Sequence, residues 1–304
     1  MAGVTITKTE YGGWENCIQV RNDSAELIIT SDVGPRIIRY GLVGQVNELC
    51  EIQSTLGRTG GGEWRLYGGH RLWHGPEDII RTYEPDNDPV RWEEMECGIK
   101  TIQKTEKTTG IEKQMEISLS PDTTRVCLLH RIVNKGPSPV ALSAWSITAM
   151  TTGGEEIIPL AGADSGLLPN RVMAIWPYAR MNDSRLTLGE RYIILRQDPG
   201  QPRPFKIGTS NEQGWAAYVN HNHMFVKYYT HQVNADYPDF GVSFETYTND
   251  VMLELETLSP LTLIEPGASI EHKEQWELFD NVHLDTKDED AIDRLRESKI
   301  GSLK

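Results

Sequence analysis

Short runs in which apolar and polar residues alternate recur along almost the whole chain. They cover residues 17–20, 25–30, 36–42, 98–104, 112–119, 125–133 and 140–150, then 191–195, 215–219, 224–229, 241–247, 251–255 and 269–278. A period of two is the signature of a half-buried strand, because successive side chains point to opposite faces. Turn-forming pairs separate the runs, as at Gly34-Pro35, Gly136-Pro137 and Pro266-Gly267. No long segment between them carries the 3.6-residue period of an amphipathic helix. The pattern therefore predicts an all-β fold: a large antiparallel β-sandwich in a single domain over residues 1–304, with 286–304 as a peripheral helical tail. That tail leads with acids and trails with bases, the arrangement a helix dipole favours. The Pro- and Gly-rich stretch 197–206 reads as a loop, not a domain boundary. The chain has no internal repeat and no low-complexity tract.

One of these runs carries candidate chemistry. Val251, Leu253 and Leu255 share one face of the predicted strand, while Glu254 and Glu256 share the other. A carboxylate beside an apolar layer is costly to desolvate unless something pairs with it, and an enzyme can use that tension to tune a general base. The alternative is an acidic strand facing solvent.

Segment 60–78, GGGEWRLYGGHRLWHGPED, has the glycines of an irregular loop with histidines, arginines, tryptophans and acids between them. Aromatic faces beside polar forks suit a pyranose, whose C–H patches stack on tryptophan while its hydroxyls meet carboxylate, guanidinium and imidazole. Tryptophans that only fill a core are the competing reading. His70 and His74 have the spacing of two zinc ligands on one helical face, but the surrounding glycines and Pro76 argue against a helix, so no metal site is expected. Segment 220–231, NHNHMFVKYYTH, places His221 and His223 on one face of a further predicted strand.

The 304-residue chain has a formal net charge of −14, which disfavours a nucleic-acid partner or an anionic membrane surface. Cys17, Cys50, Cys97 and Cys127 form no CxxC pair, as expected of core cysteines. There is no signal-like N-terminal segment and no apolar run of bilayer-spanning length, so a cytoplasmic location is the default expectation. The motifs of phosphate loops, dinucleotide folds, serine hydrolases and zinc helices are missing.

Taken in order, several segments resemble the galactose mutarotase-like superfamily, which includes the aldose 1-epimerases. Glu256-Thr257-Leu258-Ser259-Pro260 is similar to the segment that carries that family's catalytic glutamate, and Pro266-Gly267-Ala268 to the turn into its final strand. Gly34-Pro35-Arg36-Ile37-Ile38-Arg39-Tyr40 resembles its opening strand, and Trp73-His74-Gly75-Pro76 the segment of its first histidine. The position of the second histidine, the usual general acid, falls at or near Trp145. Asn220-His221-Asn222 is weakly similar to a third segment.

The resemblance implies a carbohydrate site on a concave face and a small-molecule sugar as partner, with no cofactor. It implies aldose 1-epimerase-like isomerisation with Glu256 as base and His74 or His70 as acid. Arg71, Trp73, Glu77, Trp145, His223 and Arg36 would position the sugar. A non-catalytic carbohydrate-binding protein on the same fold is the alternative. A glycan lyase or hydrolase is a more distant one, since such relatives generally carry a helical domain beside the sandwich.

Overall fold

A computed structural model describes residues 3–162 and 164–300. In chain order the strands are β1 (Thr5–Tyr11), β2 (Trp14–Arg21), β3 (Ala25–Thr30), β4 (Arg36–Leu42), β5 (His70–Gly75), β6 (Arg91–Met95), β7 (Gly98–Ile102), β8 (Ile111–Leu119), β9 (Val126–Asn134), β10 (Val140–Met150) and β11 (Glu155–Pro159). They continue as β12 (Met173–Ile175), β13 (Leu186–Leu188), β14 (Tyr192–Arg196), β15 (Phe205–Thr209), β16 (Trp215–Asn220), β17 (His223–Tyr229), β18 (Phe244–Thr248), β19 (Leu253–Leu258), β20 (Thr262–Ile264) and β21 (Ser269–Phe279). A single turn, α1 (Pro238–Gly241), and one true helix, α2 (Glu289–Lys299), complete the set.

The strands form two antiparallel sheets. The first has eleven strands, ordered β1-β2-β3-β4-β5-β10-β19-β18-β15-β12, with β20 beside β10. The second has ten, ordered β13-β14-β11-β16-β17-β21-β9-β8-β7-β6. Side chains from both sheets meet in one apolar core, in which Ile29, Leu72, Leu253 and Leu255 of the first sheet join Ile117, Leu128, Phe225 and Trp276 of the second. Burying each such side chain contributes about 1.5–3 kcal/mol, and the alternation along β8, buried at every second residue, shows how the pattern selects the inner face. The all-β antiparallel expectation is met. Among the described residues no helix is long and apolar enough to cross a membrane.

Helix α2 begins on Asp288, whose carboxylate accepts from the backbone N–H groups of Asp290 and Ala291. It is pinned to the second sheet by Arg191, which reaches Glu289, Asp290 and Asp293. The predicted tail thus holds a docked helix, and its last four residues lie outside the described ones.

Two segments read as loops contain strands. β5 lies inside the glycine-rich segment 60–78, and β15 begins at the end of the Pro-rich 197–206 stretch. β5 is buried at every residue, so it presents no apolar–polar alternation to detect. It nevertheless sits centrally, between β4 and β10.

Candidate functional site

Register aligns a row of side chains across the outer face of the first sheet. In β5 and β10, Arg71 stands opposite Ile147 and Trp73 opposite Trp145. In β10 and β19, Ile147 faces Glu256 and Ala149 faces Glu254. In β18, Glu245 faces Glu256 and Tyr247 faces Glu254, and Lys206 of β15 comes next, opposite Tyr247. Opposite residues in an antiparallel pair share a face, so these side chains stand together. Arg71, Trp73, Trp145, Ile147, Lys206, Tyr247, Glu254 and Glu256 of this row line a cleft of about 290 Å³, walled by Trp64, Tyr83 and Tyr178 and reached by Glu77, while Glu245 is buried beneath it. The hollow between residues 84–89 and 103–108 is larger but has no aromatic wall.

Glu256 is the best-anchored acid of the cleft. Its Oε2 accepts from Trp145 Nε1 at 2.8 Å and from Lys206 Nζ at 2.8 Å. Its Oε1 is buried without a hydrogen-bond partner. The Lys206 ammonium also stands 2.7 Å from Glu245 Oε2 and lies over the rings of Trp145 (4.5 Å) and Trp176 (4.8 Å). Burial raises the Glu256 carboxyl above its ordinary range, with the lysine opposing the rise. Burial pushes Glu245 well above its ordinary range as well.

One ammonium cannot neutralise two buried carboxylates, so one of them holds a proton. Glu256 receives two donors where Glu245 meets only the lysine, which makes Glu256 the ionised member. Next to this group Arg71 Nη1 donates to Glu254 Oε1 at 3.0 Å, with its guanidinium 4.6 Å from the Trp73 ring. Trp73 and Trp145 meet edge to face at 5.5 Å. Tyr83 donates its hydroxyl to Glu77 Oε1 at 2.6 Å.

Of the residues singled out from the sequence, Arg71, Trp73, Glu77, Trp145 and Glu256 meet in this cleft. Four others stand elsewhere. His70 and His74 occupy the opposite parity of β5 from Arg71 and Trp73, so they face away from Glu256. His70 is fully buried between the sheets, 2.9 Å from Thr148 Oγ1 and 2.8 Å from His130 Nε2. His74 Nε2 contacts the Arg81 carbonyl at 3.2 Å, and burial pushes its imidazole down to about 3. His223 belongs to the second sheet, where it meets Glu48 at 2.5 Å and Gln45 at 2.9 Å. Arg36 clamps a loop, donating to Asp86 and to the Gly68 carbonyl, each at 2.7 Å. The expectation that His74 or His70 would face Glu256 is therefore corrected: no imidazole lines the cleft among the described residues.

The sequence reading missed Lys206 and Glu245. Lys206 interrupts the apolar residues Phe205 and Ile207, a period-two signal hidden by the prolines before it. Glu245 lies between the buried Phe244 and Thr246, inside a strand that was expected, but only its register against Glu256 reveals the pairing.

A second polar group fills the space between the sheets. Glu274 Oε1 accepts from Ser146 Oγ (2.6 Å), Thr257 Oγ1 (2.5 Å) and Lys227 Nζ (2.9 Å), and its Oε2 accepts from Trp276 Nε1 (3.0 Å). Burial raises this carboxyl, but Lys227 together with the neighbouring His130, His70 and His272 overcomes it and holds the group well below its ordinary range. His130 Nδ1 faces the carbonyl of His272 and must donate to it, so His130 Nε2 accepts from His70 and His70 Nδ1 accepts from Thr148. Ligand atoms of His70, His130 and Glu274 lie within 4.8 Å of one another, as a metal would require. The Lys227 ammonium already supplies the positive charge, bonding both Glu274 and Thr148 Oγ1, so these residues do not fit a cation.

No protein-family model matches the sequence, and no curated protein does either. Solved structures do resemble the fold. A galactose mutarotase-like protein from Lactobacillus casei aligns with a TM-score of 0.56 at 8% identity, over 87% of this chain and 100% of its own. Another from Clostridium acetobutylicum gives 0.55 at 10% identity, over 91% and 99%. A candidate aldose 1-epimerase from Klebsiella pneumoniae gives 0.59 at 10% identity, over 99% and 93%. The chain has the galactose mutarotase-like fold.

Proposed function

We propose that the cleft over β5, β10, β19 and β15 binds a neutral sugar, and that the chain is a carbohydrate-binding protein on a galactose mutarotase-like sandwich. One observation carries this reading: the buried Glu256 Oε1, which lacks a partner in a cleft walled by Trp64, Trp73 and Trp145. An unpartnered buried carboxylate oxygen is unfavourable until a hydroxyl donates to it, and tryptophan faces suit the C–H side of a pyranose. Both cations of the cleft already have carboxylate partners, so an anionic group on the ligand would gain little there.

Isomerisation at the anomeric carbon is a second reading, favoured by the position of Glu256 as base. It needs a proton delivered to the ring oxygen as another leaves the anomeric hydroxyl. Among the described residues the cleft offers no imidazole for this step, and the acidic partners of Lys206 raise its ammonium far above the pH where it would release a proton, despite burial. This favours a sugar that is held over one that is turned over.

Calorimetric titration with glucose, galactose and mannose, beside polarimetry of freshly dissolved anomers, separates the readings. Binding without faster relaxation is the expected result. Relaxation that is accelerated and then lost in Glu256→Gln would establish the isomerase instead. A failure of every neutral sugar to bind removes both.

A further inference from the structure

The cleft does not end at Glu77 and Tyr83. These two residues also line a second, wider hollow of about 600 Å³, completed by Ile79, Trp176 and Asp239. The hydrogen bond between them makes a ledge shared by both spaces. The inner cavity, at about 290 Å³, is at the small end for a ligand site and suits a single ring. Lys206 joins the two, because its ammonium lies over Trp145 of the inner space and Trp176 of the outer one.

The chemistry of the outer hollow is that of a ring platform. Trp176 and Tyr83 offer aromatic surface, and Glu77 and Asp239 offer carboxylates to hydroxyl donors. Its lining residues carry two carboxylates and no cation, and Lys206 at its edge is already paired with Glu245 and Glu256, so it disfavours an anionic ligand. It is open to solvent at Ile79, which is 86% exposed.

The chain keeps Asp239, Phe240 and Gly241 all at positive φ (53°, 69° and 91°), an unfavourable conformation for the first two. Tyr237 anchors this turn in the aromatic cluster of Trp73 and Trp145, and the Val242 N–H bonds the Pro238 carbonyl.

We propose that the outer hollow is a second ring site, and that the ligand is an uncharged glycoside of at least two sugar rings. One ring sits against Trp73 and Trp145, and the next lies on Trp176 between Glu77 and Asp239. This rests on the carbohydrate reading of the inner cleft, and the experiment distinguishes the two.

Calorimetry on the full chain compares glucose, galactose and mannose with maltose, cellobiose, lactose and mannobiose. At least one disaccharide is expected to bind ten-fold or more tightly than either component sugar. Asp239→Asn, which tolerates positive φ, and Ile79→Asp should each reduce that ratio at least three-fold and leave monosaccharide affinity and melting temperature unchanged. Monosaccharides that bind as tightly as every disaccharide, or a ratio unmoved by both variants, overturn the second ring site and leave the inner one standing. No binding by any of the seven sugars overturns the carbohydrate reading and this proposal with it.

Discussion

Two buried lysine–glutamate groups stand on opposite sides of strand β19, and the protein treats them differently. On the inner side Lys227 donates to the Leu255 carbonyl and Glu274 accepts four donors, so the pair is charge-balanced and both Glu274 oxygens are used. On the outer side Lys206 is shared between Glu245 and Glu256, one acid more than it can neutralise, and Glu256 Oε1 has no partner. A satisfied network between two sheets rigidifies the packing. An unsatisfied one at a cleft is poised for a ligand. The difference separates a structural ion pair from a site where the two are equally buried.

The comparison is broken most directly by removing one charge from the inner pair. Lys227→Met should destabilise the protein by about 3–5 kcal/mol in urea unfolding, because Glu274 is left charged and dry. The double variant Lys227→Met/Glu274→Gln should recover most of the loss. A single variant as stable as the parent would show that the inner group does not hold the sheets.

Glu256→Gln should behave in the opposite way. Glu245, 2.7 Å from Lys206, can then ionise and take over as its counter-ion, so stability should change by less than about 1 kcal/mol. Sugar affinity should fall at least ~10-fold, corresponding to about 1.4 kcal/mol. Lost folding with retained binding would reverse the assignment of the two groups.

The imidazoles sharpen the contrast through pH. Burial pushes His272 down to about 3 in the folded chain, against 6.5 for a free imidazole. Between those values the unfolded chain binds the extra proton, so stability falls as pH is lowered through this window. His272→Gln should lessen the slope of unfolding free energy below about pH 6.5 by roughly 1.4 kcal/mol per pH unit relative to the parent. Parallel slopes for parent and variant would mean that the imidazole titrates alike in both states.

The smallest effect belongs to Glu245. If it already carries the shared proton, Glu245→Gln replaces one neutral group with another, and unfolding free energy should stay within about 0.5 kcal/mol. A marked loss would assign the ionised state to Glu245 rather than Glu256.

The strands that alternate were legible from the chain itself. β8 buries every second residue, and its hydropathy pattern says so. β5 was not legible, because all six of its residues are buried and glycines flank them. The consequence reaches the site: a loop at 60–78 leaves His70 and His74 as available to the cleft as Arg71 and Trp73. Once β5 is a strand, parity sends the histidines inward and the other two outward.

The sequence by itself determined the all-β class, the acidic face of β19 and the aromatic character of the cleft, because these follow from local alternation and residue type. Only the tertiary structure decided which acid meets which base. Lys206 and Glu256 are 50 positions apart, and Trp145 and Glu256 are 111 apart. Contacts at that separation are set by strand order and register across the sheet, and a one-residue change of register would send every one of these side chains to the other face.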